Sequence, residues 1–269
     1  MIYTGAANHK QCGDIHPFWN SFPQLILNPL QRNLRTLVLY SDLPLGWFPK
    51  LDLRSVCLPA LRSLTLGHHI FYHDHQIDWI VSHQETLKEL YLDHCAILYH
   101  IGCSIPEWLD GDGYPKRDCG QHIDYGWSLE LEDDFFLDFT PMSLRWYQIF
   151  HRFAAELNNL HTFKFGSSKQ WKFDTSSRYE ESGGGYGHLP IMPWEDEQNI
   201  ENRVTDGRYV IWNDWQQQYR PRWKSNDEPY QPRGLIGGND WVDKFESYPD
   251  CEMEDEAALG ALLFSIRGR

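Results

Sequence analysis

No stretch of the chain carries the roughly 18 consecutive apolar residues that a membrane-spanning helix needs. Met1 to Lys10 holds no basic region followed by an apolar run of the kind a secretory leader uses. Both absences point to a cytoplasmic or nuclear protein. Basic residues are scarce as well: 24 Lys and Arg face 38 Asp and Glu, a formal net charge of -14. A field of that sign repels phosphate backbones and anionic head groups, so neither nucleic acid nor membrane is an expected partner. The six cysteines, Cys12, Cys57, Cys95, Cys103, Cys119 and Cys251, are scattered and do not look like a disulfide framework, so reduced thiols are expected. Also missing are C-x-x-C, H-E-x-x-H and G-x-S-x-G, and the glycine-rich run Gly183 to Gly187 lacks the Lys and Ser/Thr of a phosphate loop. The expectation is a protein that is not an enzyme, with no catalytic residue, no metal site and no cofactor.

What the chain does have is apolar material, with 41% hydrophobic and 15% aromatic residues, enough to build a core. It also has an internal repeat. Leu34-Arg35-Thr36-Leu37-Val38-Leu39 is echoed by Leu61-Arg62-Ser63-Leu64-Thr65-Leu66 and by Leu87-Lys88-Glu89-Leu90-Tyr91-Leu92. All three fit L-x-x-L-x-L, at offsets of 27 residues (34 to 61) and 26 (61 to 87), within the roughly 20 to 29 of leucine-rich repeats. A fourth copy, Leu160 to Phe165, follows after 73 residues (87 to 160) with Phe at two of the leucine positions. Each copy predicts a short strand with its leucines inward and its x residues outward.

The fold class expected from this is α/β: a short, irregular leucine-rich-repeat-like solenoid with an insertion and an irregular C-terminal extension. The alternative is a non-repeat α/β domain whose strands share the same alternation. Three segments are expected. Residues 1-33 form a lead-in or cap, 34-168 the repeat-like domain with an insertion at about 104-140, and 169-269 an extension ending in a helix. Helical spacing predicts a helix over His75 to His83, capped by Asp74. A second is expected after Thr140 and Pro141, with Trp146, Ile149, Phe150, Phe153 and Leu157 as its apolar stripe. A strand is expected over Arg208 to Trp215, and a terminal helix over Glu254 to Ile266 that caps the open end of the solenoid.

Through Leu61 to Leu66, the His-Asp-x-x-x-Asp-Trp-Ile stretch from His73 to Ile80, and Leu87 to Cys95, the chain resembles fungal leucine-rich-repeat proteins of the F-box type. The F-box itself is not recognisable in the 33 residues before Leu34. The resemblance implies a substrate receptor of a cullin-type ubiquitin ligase, in which an F-box docks on the ligase adaptor while the repeats hold a degradation target.

Two clusters hold metal-ligating residue types: His68, His69, His73 and His75, and His94, Cys95, His100 and Cys103. Neither has zinc-site spacing. Cys95 occupies the ninth position of its motif, where a small polar side chain satisfies buried backbone groups. The acidic run Glu130, Glu132, Asp133 and Asp134 reads as a solvated face. The function expected is a non-catalytic protein-protein interaction module. Its binding face would be the outward positions Thr36, Val38, Tyr40, Ser63, Thr65, Glu89, Tyr91, Asp93, Thr162 and Lys164, with Tyr40 and Tyr91 as anchors. The protein target is unspecified, and the ligase adaptor is a second partner by resemblance. The alternatives are a hydrolase built on the insertion or on the His/Cys clusters, and a truncated gene product without function.

Overall fold

The computed structural model describes residues 15–103, 109–116, 138–166, 202, 204, 208–213, 218–221 and 249–269. Helix α1 (Ile15–Phe22) runs into a π-helical turn at Pro23–Leu27 and a last turn at Asn28–Leu30, anchored inward by Trp19, Phe22 and Leu27. The strands are β1 (Thr36–Leu45), β2 (Ser63–Phe71), β3 (Glu89–Asp93), β4 (Ala96–Cys103), β5 (Asp138–Pro141), β6 (Thr162–Gly166), β7 (Tyr209–Asn213) and β8 (Gln218–Pro221). The remaining helices are α2 (Asp74–Val81), α3 (Trp146–Glu156) and α4 (Glu252–Arg267).

The four motif copies lie side by side in parallel register, Thr36 beside Ser63, Ser63 beside Glu89, and Glu89 beside Thr162. Their inward residues Leu37, Leu39, Leu64, Leu66, Leu90, Leu92, Phe163 and Phe165 are buried in one core with α2 and α3. Each strand alone buries one face only, and pairing in register stacks the Leu and Phe rows against the two helices.

The expected solenoid is not what forms. Among the described residues the strands make one eight-stranded sheet in the order β6-β3-β2-β4-β7-β8, with β1 also on β2 and β5 also on β4. It is a curled half-barrel of mainly parallel strands with few helices, an α/β arrangement and not a stack of repeat units. The reason lies at His68 and His94, which occupy equivalent places two residues beyond the last leucine of their motifs. Both have left-handed backbones, φ 55° and 51°, a conformation uncommon outside glycine that turns a strand sharply. Before the turn, β2 pairs with β1 and β3; after it, Ile70 and Phe71 pair with Ala96 and Ile97 of β4. From there β7 pairs parallel with β4, while β5 and β8 run antiparallel, and none of these strands carries a motif copy. A second cluster, with Trp47, Ile70, Leu98, Ile101 and Val210, fills this later part of the sheet.

Three local expectations also change. Asp74 opens α2 without capping it; Gln76 Oε1 accepts the N–H groups of Tyr72 (2.7 Å) and His73 (2.9 Å) instead. Thr140 and Pro141 belong to β5, and α3 starts later, where Gln148 Oε1 accepts the Arg145 N–H at 2.9 Å. The terminal helix packs on α3 and does not close a solenoid end. Its buried Asp255 accepts the Tyr147 N–H and the Tyr209 O–H, each at 2.7 Å. This ties β7 and α4, from the expected extension, into the same core as the motif strands.

Candidate protein-binding edge of the motif strands

The ten residues expected to form the binding face do not share one environment. Thr36 is exposed, and Glu89, Thr162 and Lys164 are half-buried. Val38, Tyr40, Ser63, Thr65, Tyr91 and Asp93 are buried, with Tyr40 only 1% and Tyr91 3% exposed. The two aromatics expected as anchors therefore cannot meet a partner. Tyr40, Gly67 and Asp93 are in-register neighbours on β1, β2 and β3. The Tyr40 ring lies across Gly67, where an added Cβ would sit 2.0 Å from ring carbons, and its hydroxyl donates to Asp93 Oδ2 at 3.0 Å. Gly67 is the residue that lets the ring span β2. Alternation assigns these side chains to one face of the sheet, but that face is closed at its centre.

The opposite end of the same strands is open. One residue before each strand stand Arg35, Arg62, Lys88 and His161, all exposed. Their backbones form a continuous ladder, in which Arg62 N–H donates to Arg35 O (2.7 Å), Lys88 N–H to Arg62 O (2.7 Å) and His161 N–H to Lys88 O (2.8 Å). The side chains thus succeed one another at the strand spacing of about 4.8 Å. Among the described residues Arg35, Arg62 and Lys88 make no ion pair. Sequence reasoning passed over this row because it weighed only the x positions beside the inward leucines. The signal was nonetheless present, as a basic or imidazole side chain follows the first leucine of every copy.

Among the described residues no group of three or more His, Cys, Asp or Glu is placed to hold a metal ion. The His68 and His94 rings meet edge to face, 5.1 Å apart. His69 is buried against Phe71 and Gln76, and burial holds it neutral, with its pKa down at about 3. Cys95 donates its thiol to Leu66 O at 3.3 Å, and burial pushes that thiol up to about 12. It satisfies a backbone group of the neighbouring strand, as its motif position implied. The side chains of Cys12, Cys103 and Cys119, and the acidic run Glu130 to Asp134, lie outside the described residues.

Two further polar clusters hold the fold together. Beyond the carboxyl ends of β1 and β2, where parallel sheets commonly place ligands, residues 109–116 are clamped down. Lys50 pairs with Asp110 (2.9 Å), Arg54 with Asp52 and Asp112 (2.7 Å each), and Trp47 Nε1 donates to Gly113 O (2.9 Å). His75 Nε2 lies 2.8 Å from the Tyr114 hydroxyl, and the His73 ring stacks on His75 at 4.6 Å. Burial lowers His73 to about 4, leaving it uncharged at neutral pH. The cavity beneath, about 10 Å³ between Leu66, His69, Phe71 and Ile80, has room for about one water and is too small for a substrate. In the second cluster Cys251 lies 3.3 Å from the Tyr209 hydroxyl and 3.5 Å from Asp255 Oδ2. Burial pushes its thiol to about 11, which disfavours the nucleophilic thiolate.

Among the described residues no helix is long and apolar enough to cross a membrane. No family model matches the chain, and neither the curated proteins nor the solved structures contain a match to it.

Proposed function

We propose that the protein is a non-catalytic recognition module that holds an acidic segment of a partner protein along Arg35, Arg62, Lys88 and His161. The row itself carries this reading: Arg35, Arg62 and Lys88 stand one strand apart with His161 next in line, all exposed and without ion pairs among the described residues, on a chain of formal charge -14. Like charges so spaced repel mildly in water, and carboxylates laid across them relieve that repulsion. Three strand spacings span about 14 Å, the length of four or five residues of extended peptide. A short acidic segment suits this row better than nucleic acid, which would run on over a surface of its own sign. Of the neighbouring accessible residues, Thr36 and Thr162 add hydrogen-bonding capacity, and Glu89 disfavours a carboxylate placed directly over it.

The resemblance of Leu61 to Leu66, His73 to Ile80 and Leu87 to Cys95 to fungal F-box-type proteins supports a narrower form. In that form the bound protein is a degradation target, the ligase adaptor is a second partner, and the protein works in the cytoplasm or nucleus. Fluorescence anisotropy with a labelled Asp/Glu-rich peptide and its Asn/Gln counterpart tests the general reading. Binding of the acidic peptide alone, weakening steadily with added salt, is the expected result; equal binding of both peptides, or of neither, contradicts it. Affinity purification from the native cells tests the narrower form, which requires the ligase adaptor among the recovered proteins.

A further inference from the structure

Helix α4 buries Ala258, Leu259, Leu262 and Ile266, yet Met253 is 83% and Phe264 80% exposed. Eleven residues separate the two (253 to 264), about three helical turns, so they stand on one line of the helix. Between them on the same face lie Ala257, Gly260 and Ala261, with Glu256 along one border, all exposed, and a Cβ added at Gly260 would meet nothing within 4 Å. The face is thus a low saddle of small residues with a large apolar side chain at each end. Exposed apolar side chains of that size grouped on one face mark a contact surface.

We infer that this face is covered by a second copy of the same chain, the two α4 helices packing antiparallel about a twofold axis. The small residues at its centre let two backbones approach, and the charges at its ends select the antiparallel arrangement. The register that sets Met253 against Phe264 of the second copy also sets Ala257 against Gly260, so the backbones approach closely where side chains are smallest. It brings exposed Asp250, just before the helix, beside exposed Arg267 at its other end. The amino end carries Glu252, Glu254 and Glu256 and the carboxyl end Arg267. Antiparallel pairing therefore joins opposite charges, whereas parallel pairing joins like ones. Such a contact is isologous and closes at two subunits. It is also small, so association is weak and depends on concentration. The surface is separate from the row of Arg35, Arg62, Lys88 and His161, and the inference does not rest on that reading.

Sedimentation equilibrium of the full chain over a wide concentration series tests the inference. The average mass should rise from that of one chain towards that of two. Phe264→Glu, at a site with no packing to lose, should raise the dissociation constant about tenfold or more with unchanged circular dichroism. Arg267→Glu should weaken the dimer, and Asp250→Arg combined with Arg267→Glu should restore it, because the twofold axis exchanges both charges at once. A mass of one chain at every concentration overturns the inference, as does a dimer indifferent to Phe264→Glu. Failure of the double variant to restore association overturns the antiparallel register.

Discussion

Two rows of residues cross the same motif strands and end in opposite circumstances. The row at Tyr40, Gly67 and Asp93 is closed by a ring lying over a glycine and a buried hydrogen bond. About five residues earlier on each strand, Arg35, Arg62, Lys88 and His161 stand in solvent. Pairing and register are shared, so secondary structure does not separate the two rows. What separates them is accessibility: Tyr40, Gly67 and Asp93 are buried, while the residues that precede the first paired position are exposed. Rigid aromatics are the commonest interface anchors, but here Tyr40 and Tyr91 are core residues, and the proposed recognition rests on the exposed row instead.

The largest effects that would break this comparison concern the core. Tyr91→Ala should destabilise by about 3 to 5 kcal/mol and Leu90→Ala by about 2 to 5 kcal/mol, measured by urea unfolding. The two losses should be of the same order because Tyr91 is as inaccessible as the leucines beside it. A Tyr91→Ala variant of unchanged stability would return that residue to an open face. The next effect is linked to protons. His69 is held neutral, its pKa lowered by burial from 6.5 to about 3. Between those values the unfolded chain takes up a proton that the native one refuses, so stability is complete above pH 6.5 and declines as the pH falls. At pH 5 the loss from this residue is about 2 kcal/mol. Thermal melts at pH 7 and pH 5 should show it, and His69→Gln should make the decline shallower. Of similar size is Tyr40→Phe, which removes one buried bond to Asp93 and should cost about 1 to 3 kcal/mol without altering peptide binding.

Much of the pairing could be read in the residues. The 27- and 26-residue offsets put Thr36, Ser63 and Glu89 side by side, and Asp74–Val81, Tyr209–Asn213 and Glu252–Arg267 fall where periodicity placed elements. The overall shape could not be read, because it depends on β4 and β7, which carry no motif, and on left-handed turns at two histidines, a residue type that gives little local warning of positive φ. Accessibility was equally hidden. Alternation says which side of a strand Tyr40 occupies, and only the neighbour at position 67, a glycine, explains why its ring lies flat. The edge row was visible as Arg, Arg, Lys and His after the first leucine of each copy, but its continuity depends on the fourth strand pairing across a 73-residue gap (87 to 160).

The most direct test sets Arg62→Glu/Lys88→Glu beside Tyr91→Ala in one experiment that records both urea unfolding and anisotropy of the acidic peptide. The charge variant should lose at least about tenfold in affinity, with a stability change of about 0.5 kcal/mol or less. Tyr91→Ala should show the reverse, with stability lost and, under conditions where it remains folded, affinity kept. Unimpaired peptide binding by the charge variant would contradict the account and remove the edge as the site of recognition.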